Sequence, residues 1–160
     1  MKLKLKCAWI VSVMFLTFGL AQYAAAGDLI VVASKTAQKA SQDWLSFLES
    51  KEIPVKLVTP DSFSSVKDQL NIIVLGSIDE SKEITEIAKD ALTEDEFKSI
   101  GTEAKMYYKP QAWNVGQKVI LFLGPNLESV VDARISSQEE WYAMLQEWFD
   151  IDDSQGFHLY

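Results

Sequence analysis

Asn71-Ile72-Ile73-Val74-Leu75-Gly76 is a continuous apolar run, closed by a polar residue at one end and a small one at the other. Its length and its β-branched side chains are typical of a strand that is buried on both faces. Residues 29–33 and 119–124 have the same character, and amphipathic helical segments separate the three runs. The pattern predicts that these three strands form the middle of one sheet.

The segments around these strands are predicted to be helices and one further parallel strand. Residues 36–51 repeat apolar side chains at a spacing of three and four, which predicts one long helix. A strand follows over 55–59, and Lys56 in its middle indicates an edge position. Other helices are predicted over residues 62–70, 81–92, 93–100, 126–135 and 137–149.

Two of these helices begin with capping-box patterns. Thr93 is followed three residues later by Glu96, and Ser137 is followed by Glu140. In such a box the hydroxyl and the carboxylate each bond a free backbone N–H of the first helical turn. We therefore expect both helices to start at these residues.

A short connection joins residues 104–109 to the strand at 118–124. So short a link suits an antiparallel hairpin better than a crossover between parallel strands. We therefore expect residues 104–109 to form an antiparallel edge strand, with Met106 and Tyr108 on one face and Tyr107 on the other.

Strands that alternate with helices predict an α/β fold, a three-layer α/β/α sandwich with a mostly parallel sheet of about five strands. The expected strand order is second, first, third, 118–124 and then 104–109. This arrangement is similar to a small flavodoxin-like domain. The IIVLG strand, two helices and the GQKVILFLG hairpin within residues 71–134 also resemble non-catalytic α/β domains attached to some secreted carbohydrate-processing enzymes. That resemblance concerns the fold, which does not specify a function.

The first 26 residues have the pattern of a cleaved secretory signal peptide. Three lysines precede the apolar run 8–20, and three alanines end at Ala26. The run is shorter than the roughly 20 apolar residues that a membrane-spanning helix needs. We therefore expect cleavage after Ala26, a single α/β domain over 27–149, and an acidic and then aromatic tail over 150–160. The expected location is periplasmic or extracellular.

The chain is acidic, with a formal net charge of −8 at neutral pH. The predicted signal peptide carries three lysines and no acid, so its removal makes the charge more negative. This charge repels nucleic-acid backbones and anionic lipid, and no cluster of lysine and arginine compensates for it. We expect no nucleic-acid partner and no membrane insertion after signal cleavage; the acidity also favours solubility.

The inventory of reactive side chains is small. Cys7 lies in the predicted signal peptide and His158 lies in the predicted tail, so neither suits nucleophilic catalysis or a zinc site. No glycine-rich phosphate-binding motif follows the first strand. Residues 150–156 alternate oxygen ligands, but the sixth position is not glycine and no glutamate follows at the twelfth position, as a calcium-binding loop requires. We predict no catalytic residue, no metal site and no cofactor.

Ligands of open α/β sheets bind beyond the carboxyl ends of the strands. The candidate ligand-cleft residues at these ends are Ser34, Lys35, Ser77, Asp79 and Asn126. Asp79 and Glu80 offer an acid, a base or a metal-binding oxygen there, with Lys35 opposite. The simpler interpretation is helix capping, because polar and acidic side chains stabilise helix N-termini.

Aromatic residues mark a second candidate surface, on the hairpin and the last helix. The candidate partner-binding residues are Tyr107, Trp113, Asn114, Tyr142 and Phe149. Aromatic faces beside Asn114 can hold a sugar or an apolar side chain of a partner. Trp113 either is exposed for this purpose or folds back over the sheet edge. Trp141 and Trp148 share one helix face and are expected in the core. Tyr142 and Phe149 lie off that face and either face a partner or are covered by the tail.

Two hypotheses follow. The leading one is an exported non-catalytic α/β domain that binds a protein or glycan partner in the cell envelope, because the catalytic inventory is missing and the hairpin is aromatic. The alternative is a small hydrolase or ligand-binding protein that uses carboxylates at the strand ends, with Asp79 as the acid or metal group.

Overall fold

A computed structural model describes residues 27–152 of the protein. The predicted signal peptide, residues 1–26, and the part of the predicted tail from 153 to 160, with His158, lie outside the described residues. The strands are β1 (Leu29–Ala33), β2 (Val55–Val58), β3 (Asn71–Ser77), β4 (Lys105–Pro110) and β5 (Lys118–Gly124). The helices are α1 (Lys35–Ala40), α2 (Gln42–Ser50), α3 (Lys82–Ala91), α4 (Glu94–Ser99), α5 (Leu127–Ser136) and α6 (Gln138–Phe149), with a 3-10 helix at Pro60–Ser65.

Within the described residues the strands form one sheet in the order β2-β1-β3-β5-β4. Strand β1 pairs in parallel with β2 and β3, and β3 pairs in parallel with β5. The edge strand β4 pairs antiparallel with β5. All seven residues of β3 are buried, as expected for a strand between two parallel neighbours. The predicted strand order, the edge position of Lys56 and the antiparallel edge strand are confirmed.

Helices cover both faces of the sheet, which gives the predicted three-layer sandwich of flavodoxin-like type. Alternate residues of each central strand point to opposite faces, so Ile73 and Ile72 belong to different cores. Helices α1, α2, α5 and α6 pack on the Ile73 face, with Trp44 and Trp141 between them and the sheet. The 3-10 helix, α3 and α4 pack on the Ile72 face.

The long helix predicted over 36–51 is instead two helices that meet at Ser41. Ser41 adopts non-helical backbone angles (φ −115°, ψ 20°) and is only 2% exposed. Ala37 of α1 and Trp44, Leu45 and Leu48 of α2 are all buried. Apolar spacing alone does not reveal such a break, because the periodicity continues across it.

The segment predicted as a helix over 62–70 is a 3-10 helix that begins earlier, at Pro60. Proline suits the first turn of a helix because the N–H groups of that turn have no partner within the helix, so no hydrogen bond is lost. The Val66 N–H donates to the Phe63 carbonyl, three residues back, which closes the segment early.

The two predicted capping boxes have different outcomes. Thr93 and Glu96 form the box, with both reciprocal hydrogen bonds present. The box predicted at Ser137 and Glu140 is wrong, because the Ser137 hydroxyl makes no capping bond to α6. It donates instead to the Ala133 carbonyl at 2.7 Å, since Ser137 also ends α5.

Candidate functional site

The carboxyl ends of β1 and β3 meet at the point where the strand order reverses, the usual ligand crevice of such sheets. Ser34, which follows β1, accepts a hydrogen bond from the Ala37 N–H at 3.0 Å and thereby caps α1. The same hydroxyl donates to Glu80 Oε1 at 2.6 Å, and Glu80 follows β3. This Ser34–Glu80 bond therefore bridges the two strand ends.

Among the described residues, no hydrogen bond or ion pair joins the Ser34 side chain to the other candidate ligand-cleft residues. The Asn126 side chain accepts from the Ser129 N–H at 2.9 Å and caps α5. Ser77 is 2% exposed within β3, while Lys35 and Asp79 are exposed. Ser34 and Asn126 therefore perform the capping tasks that the simpler interpretation assigned to this edge.

Closely packed segments cover the carboxyl ends of β3 and β5. The Ile78 N–H donates to the Gly124 carbonyl at 3.1 Å, which ties the loop after β3 to the end of β5. Ala104 lies so near Gly124 that a Cβ on Gly124 would be 2.4 Å from the Ala104 Cβ. Glycine is required at this position because the neighbouring segment occupies the space of a side chain.

The hairpin loop is organised by Gln117, a residue that the sequence pattern did not single out. Gln117 is 1% exposed, and its Oε1 accepts from the N–H groups of Trp113 and Asn114 at 3.1 and 3.0 Å. Its Nε2 donates to the carbonyls of Lys67 and Gln69. A single polar residue beside a strand carries no local signal of this role, since its partners are distant in sequence.

Trp113 packs against the core on the Ile72 face of the sheet. It is half-buried, its ring centroid lies 4.9 Å from that of Phe63, and Lys67 Nζ lies 5.7 Å from the ring. The neighbouring Asn114 is exposed and donates to Asp68 Oδ1 at 2.8 Å. The loop that carries Trp113 is therefore joined to the segment that contains the 3-10 helix.

Tyr107 has a structural role in β4. It is half-buried, and its hydroxyl lies 2.8 Å from the Ser99 hydroxyl at the end of α4. Next to it, Lys109 Nζ lies 2.6 Å from both carboxylate oxygens of Glu96. The Lys109 ammonium holds the pKa of Glu96 below its ordinary value of 4.5, with the Thr93 N–H as the next cause. These contacts fasten α4 to the edge strand.

The candidate residues on α6 lie in or against a core. Tyr142 is 4% exposed, which corrects its predicted place on a partner surface; its ring contacts Phe47 and Trp141. Tyr142 fills the space between α2 and α6, because those two helices are neighbours on one sheet face. Phe149 is half-buried and packs against the same core. Trp141 and Trp148, at 0% and 6% exposed, confirm the predicted core face.

A groove on the opposite face of the sheet, of about 380 Å³, lies between the 3-10 helix and α3. We call it the acidic groove. Its apolar lining is Pro60, Phe63 and Ile87, and its charged lining is Asp61, Lys67, Glu83, Glu86 and Asp90. The sequence did not indicate it, because the two segments that form it are separated by β3.

The charges of the acidic groove are mostly negative. Lys67 lies 2.6 Å from Asp90, so the one cation among its described lining residues is already paired. A backbone N–H, and next the Ser81 hydroxyl, hold the pKa of Glu83 below its ordinary value of 4.5. Glu83 is therefore ionised at neutral pH.

A second cavity, of about 520 Å³, lies at the amino-terminal edge of the sheet. Residues 50–54 and 149–152 line it, so Phe149 contributes to its wall. Asp150 ends α6 there in a left-handed conformation, with φ 51°. Asp152, which lines the cavity, is the last of the described residues.

No group of three or more histidine, cysteine, aspartate or glutamate side chains within residues 27–152 is arranged to hold a metal ion. Over the same residues, none of the helices has both the length and the apolar character needed to cross a membrane. Comparison of the chain with protein-family models, with curated proteins and with solved structures finds no match.

Proposed function

We propose that the protein is an exported, non-catalytic α/β domain that binds a protein partner of the cell envelope, with an envelope glycan as the alternative ligand. The signal-peptide pattern of residues 1–26 supports export. The observation that carries the binding role is the acidic groove, which joins an apolar floor to a charged rim. Such a groove accepts an extended or helical segment that carries an apolar side chain flanked by lysine or arginine.

Charge complementarity supports a cationic partner segment. Four carboxylates and one ammonium line the groove, and the ammonium of Lys67 is paired with Asp90. The net charge of −8 over the chain adds a long-range attraction for a basic partner and accelerates its approach. The interaction is therefore expected to weaken as the salt concentration rises.

The hairpin supports a protein ligand more than a glycan. Sugar binding uses an open aromatic face, whereas the Trp113 ring is half-buried and contacts Phe63 and Lys67. Asn114, which could bond a sugar hydroxyl, already donates to Asp68. Trp113 instead packs against Phe63, which lines the acidic groove.

The alternative, a small hydrolase or ligand-binding protein at the strand ends, has weaker support. Ser34 and Asn126 cap helices, and the Glu80 carboxylate accepts from Ser34. Asp79 is exposed there and forms no hydrogen bond or ion pair with the side chain of another residue in the described range. Turnover that the substitution Asp79→Asn abolishes would establish this alternative in place of binding.

The test uses two double variants that remove the same amount of charge. Asp61→Asn with Glu83→Gln changes the groove, and Glu49→Gln with Glu128→Gln changes exposed positions over the other face of the sheet. Each purified protein is immobilised, exposed to an extract of the source cell envelope, and the retained species is identified by mass. The affinity of that species is then measured against all variants.

We expect the groove variant to bind the retained protein about fivefold more weakly, from about 0.5 kcal/mol lost for each of two exposed charge interactions. The control variant should bind as the wild type does. Equal weakening by both variants would show that only net charge matters and that the acidic groove is not the site. Retention of a glycan, with loss of binding in Trp113→Ala, would support the alternative ligand.

A further inference from the structure

Three hydrogen-bond donors near the junction of α1, α2 and α5 have no partner. Ser41 Oγ, Trp44 Nε1 and Arg134 Nε are each buried without a hydrogen bond among the described residues. Their residues are 2%, 2% and 7% exposed. Each unsatisfied buried polar group costs about 1–3 kcal/mol, so three together require an explanation.

Two of the three groups belong to residues in contact, Arg134 and Trp44, and the third belongs to Ser41, about one helical turn before Trp44. The Leu45 N–H donates to the Ser41 carbonyl, which continues the helical turn and places Ser41 and Trp44 on the same side of α2. The Arg134 Cζ lies 5.3 Å from the centre of the Trp44 ring. The Arg134 carbonyl accepts from Trp141 Nε1 at 2.8 Å, which fixes the backbone of α5 at this position.

Arg134 is a buried charge without an ion pair among the described residues. Burial lowers its pKa, and the charge of Asp43 acts in the opposite direction. The Asp43 side chain is exposed and does not bond the guanidinium. A buried guanidinium without a counter-ion is costly, and an anion offsets that cost more completely than a neutral water does.

We propose that Arg134, Trp44 and Ser41 form a binding site for one small oxyanion of the carboxylate or phosphate class. The arginine N–H, the indole N–H and the serine O–H are donors, and this is the set that an anionic oxygen requires. Because Arg134 keeps only 7% of its surface exposed, a small ion reaches the site and a macromolecule does not. This site is separate from the acidic groove, which lies on the other face of the sheet.

The test follows the indole N–H resonances of the ¹⁵N-labelled protein by nuclear magnetic resonance. Sodium acetate and sodium phosphate are titrated separately against sodium chloride at matched ionic strength, and Trp44→Phe assigns the Trp44 signal. Trp113 is the matched control, because its Nε1 is also buried without a hydrogen bond to another described residue, and the cation over its ring, Lys67, is already paired with Asp90. The two titrations show which of the two anion classes binds.

We expect the Trp44 resonance to move with a saturable dependence on one of the two anions, while the Trp113 resonance does not. Arg134→Met should weaken the response at least about tenfold, because a charge-assisted hydrogen bond contributes about 1.5–3 kcal/mol. The wild-type titration is decisive by itself if that variant does not fold.

Three results would overturn the proposal. If neither anion moves the Trp44 resonance, the donors are satisfied by buried water, which fills polar sites of this kind. If Asp43→Asn shifts the resonance in buffer without either anion, the Asp43 carboxylate occupies the site in solution. Equal movement of the Trp44 and Trp113 resonances would indicate a general salt effect and would also overturn it.

Discussion

Gly124, the last residue of β5, provides a sharp test of how the strand ends are closed. A Cβ at this position would lie 2.4 Å from the Ala104 Cβ, 2.8 Å from the Ala104 Cα and 3.2 Å from Val130 Cγ2. Carbon atoms in proteins pack favourably at about 3.5–4.0 Å. The substitution Gly124→Ala therefore requires the Ala104 backbone to move by roughly 1 Å, which restores ordinary contact.

That movement is resisted by the sheet. Ala104 directly precedes β4, whose first residue Lys105 is paired with Leu123 of β5. We expect Gly124→Ala to lower the free energy of unfolding by about 1–3 kcal/mol, the usual cost of overpacking. At Gly76 the added Cβ would meet side-chain carbons of Ile84 at 2.9–3.3 Å, so Gly76→Ala should cost less. Only a side chain has to move there.

The assay is urea unfolding followed by tryptophan fluorescence, applied to Gly124→Ala, Ala104→Gly and the double variant. Ala104→Gly removes the obstructing Cβ and should cost about 0.5–1 kcal/mol by itself. If the clash is the cause, the double variant will lose about 1 kcal/mol less free energy of unfolding than the two single variants lose together. Wild-type stability in Gly124→Ala, or strictly additive effects, would refute the reasoning.

Two further predictions concern helix capping and the ion pair between Glu96 and Lys109. Thr93→Ala should lower the free energy of unfolding by about 1 kcal/mol, and Ser137→Ala by less than half of that, because only Thr93 forms a capping bond; chemical denaturation measures both. Because the pKa of folded Glu96 lies below 4.5, its ion pair stabilises the protein above that pH, and the stabilisation is lost as the pH falls below it. Glu96→Gln should therefore make the loss of stability on acidification shallower, whereas Glu94→Gln, whose side chain is 82% exposed, should leave the wild-type slope. An unchanged slope in Glu96→Gln would contradict the assigned role of the pair.

Much of the architecture was predictable because it depends on local periodicity and chain connectivity. The apolar run at β3, the charge of Lys56 and the short link before β5 predicted a central strand, an edge strand and an antiparallel hairpin, and all three are confirmed. Each inference uses residues close in sequence. The start of α4 at Thr93 is of the same kind, since both capping partners lie within one turn.

The errors arose where one residue has competing partners. Ser137 matches a capping pattern, but its hydroxyl bonds the preceding helix because α5 ends at the same residue. Tyr142 lies off the face defined by Trp141 and Trp148, yet it is buried because α2 packs beside α6. The apolar spacing within α6 does not show that α5 ends at Ser137 or that α2 packs beside Tyr142.

The sequence by itself determined the fold class, the strand order and the acidic character of the chain, since these follow from patterns along the chain. Only the tertiary structure decided which side chains meet. It brought Ser34 against Glu80, Trp113 against Phe63, and Arg134 over Trp44. Such contacts join residues far apart in sequence, and their geometry depends on how helices pack across the sheet. Local periodicity carries no information about that packing.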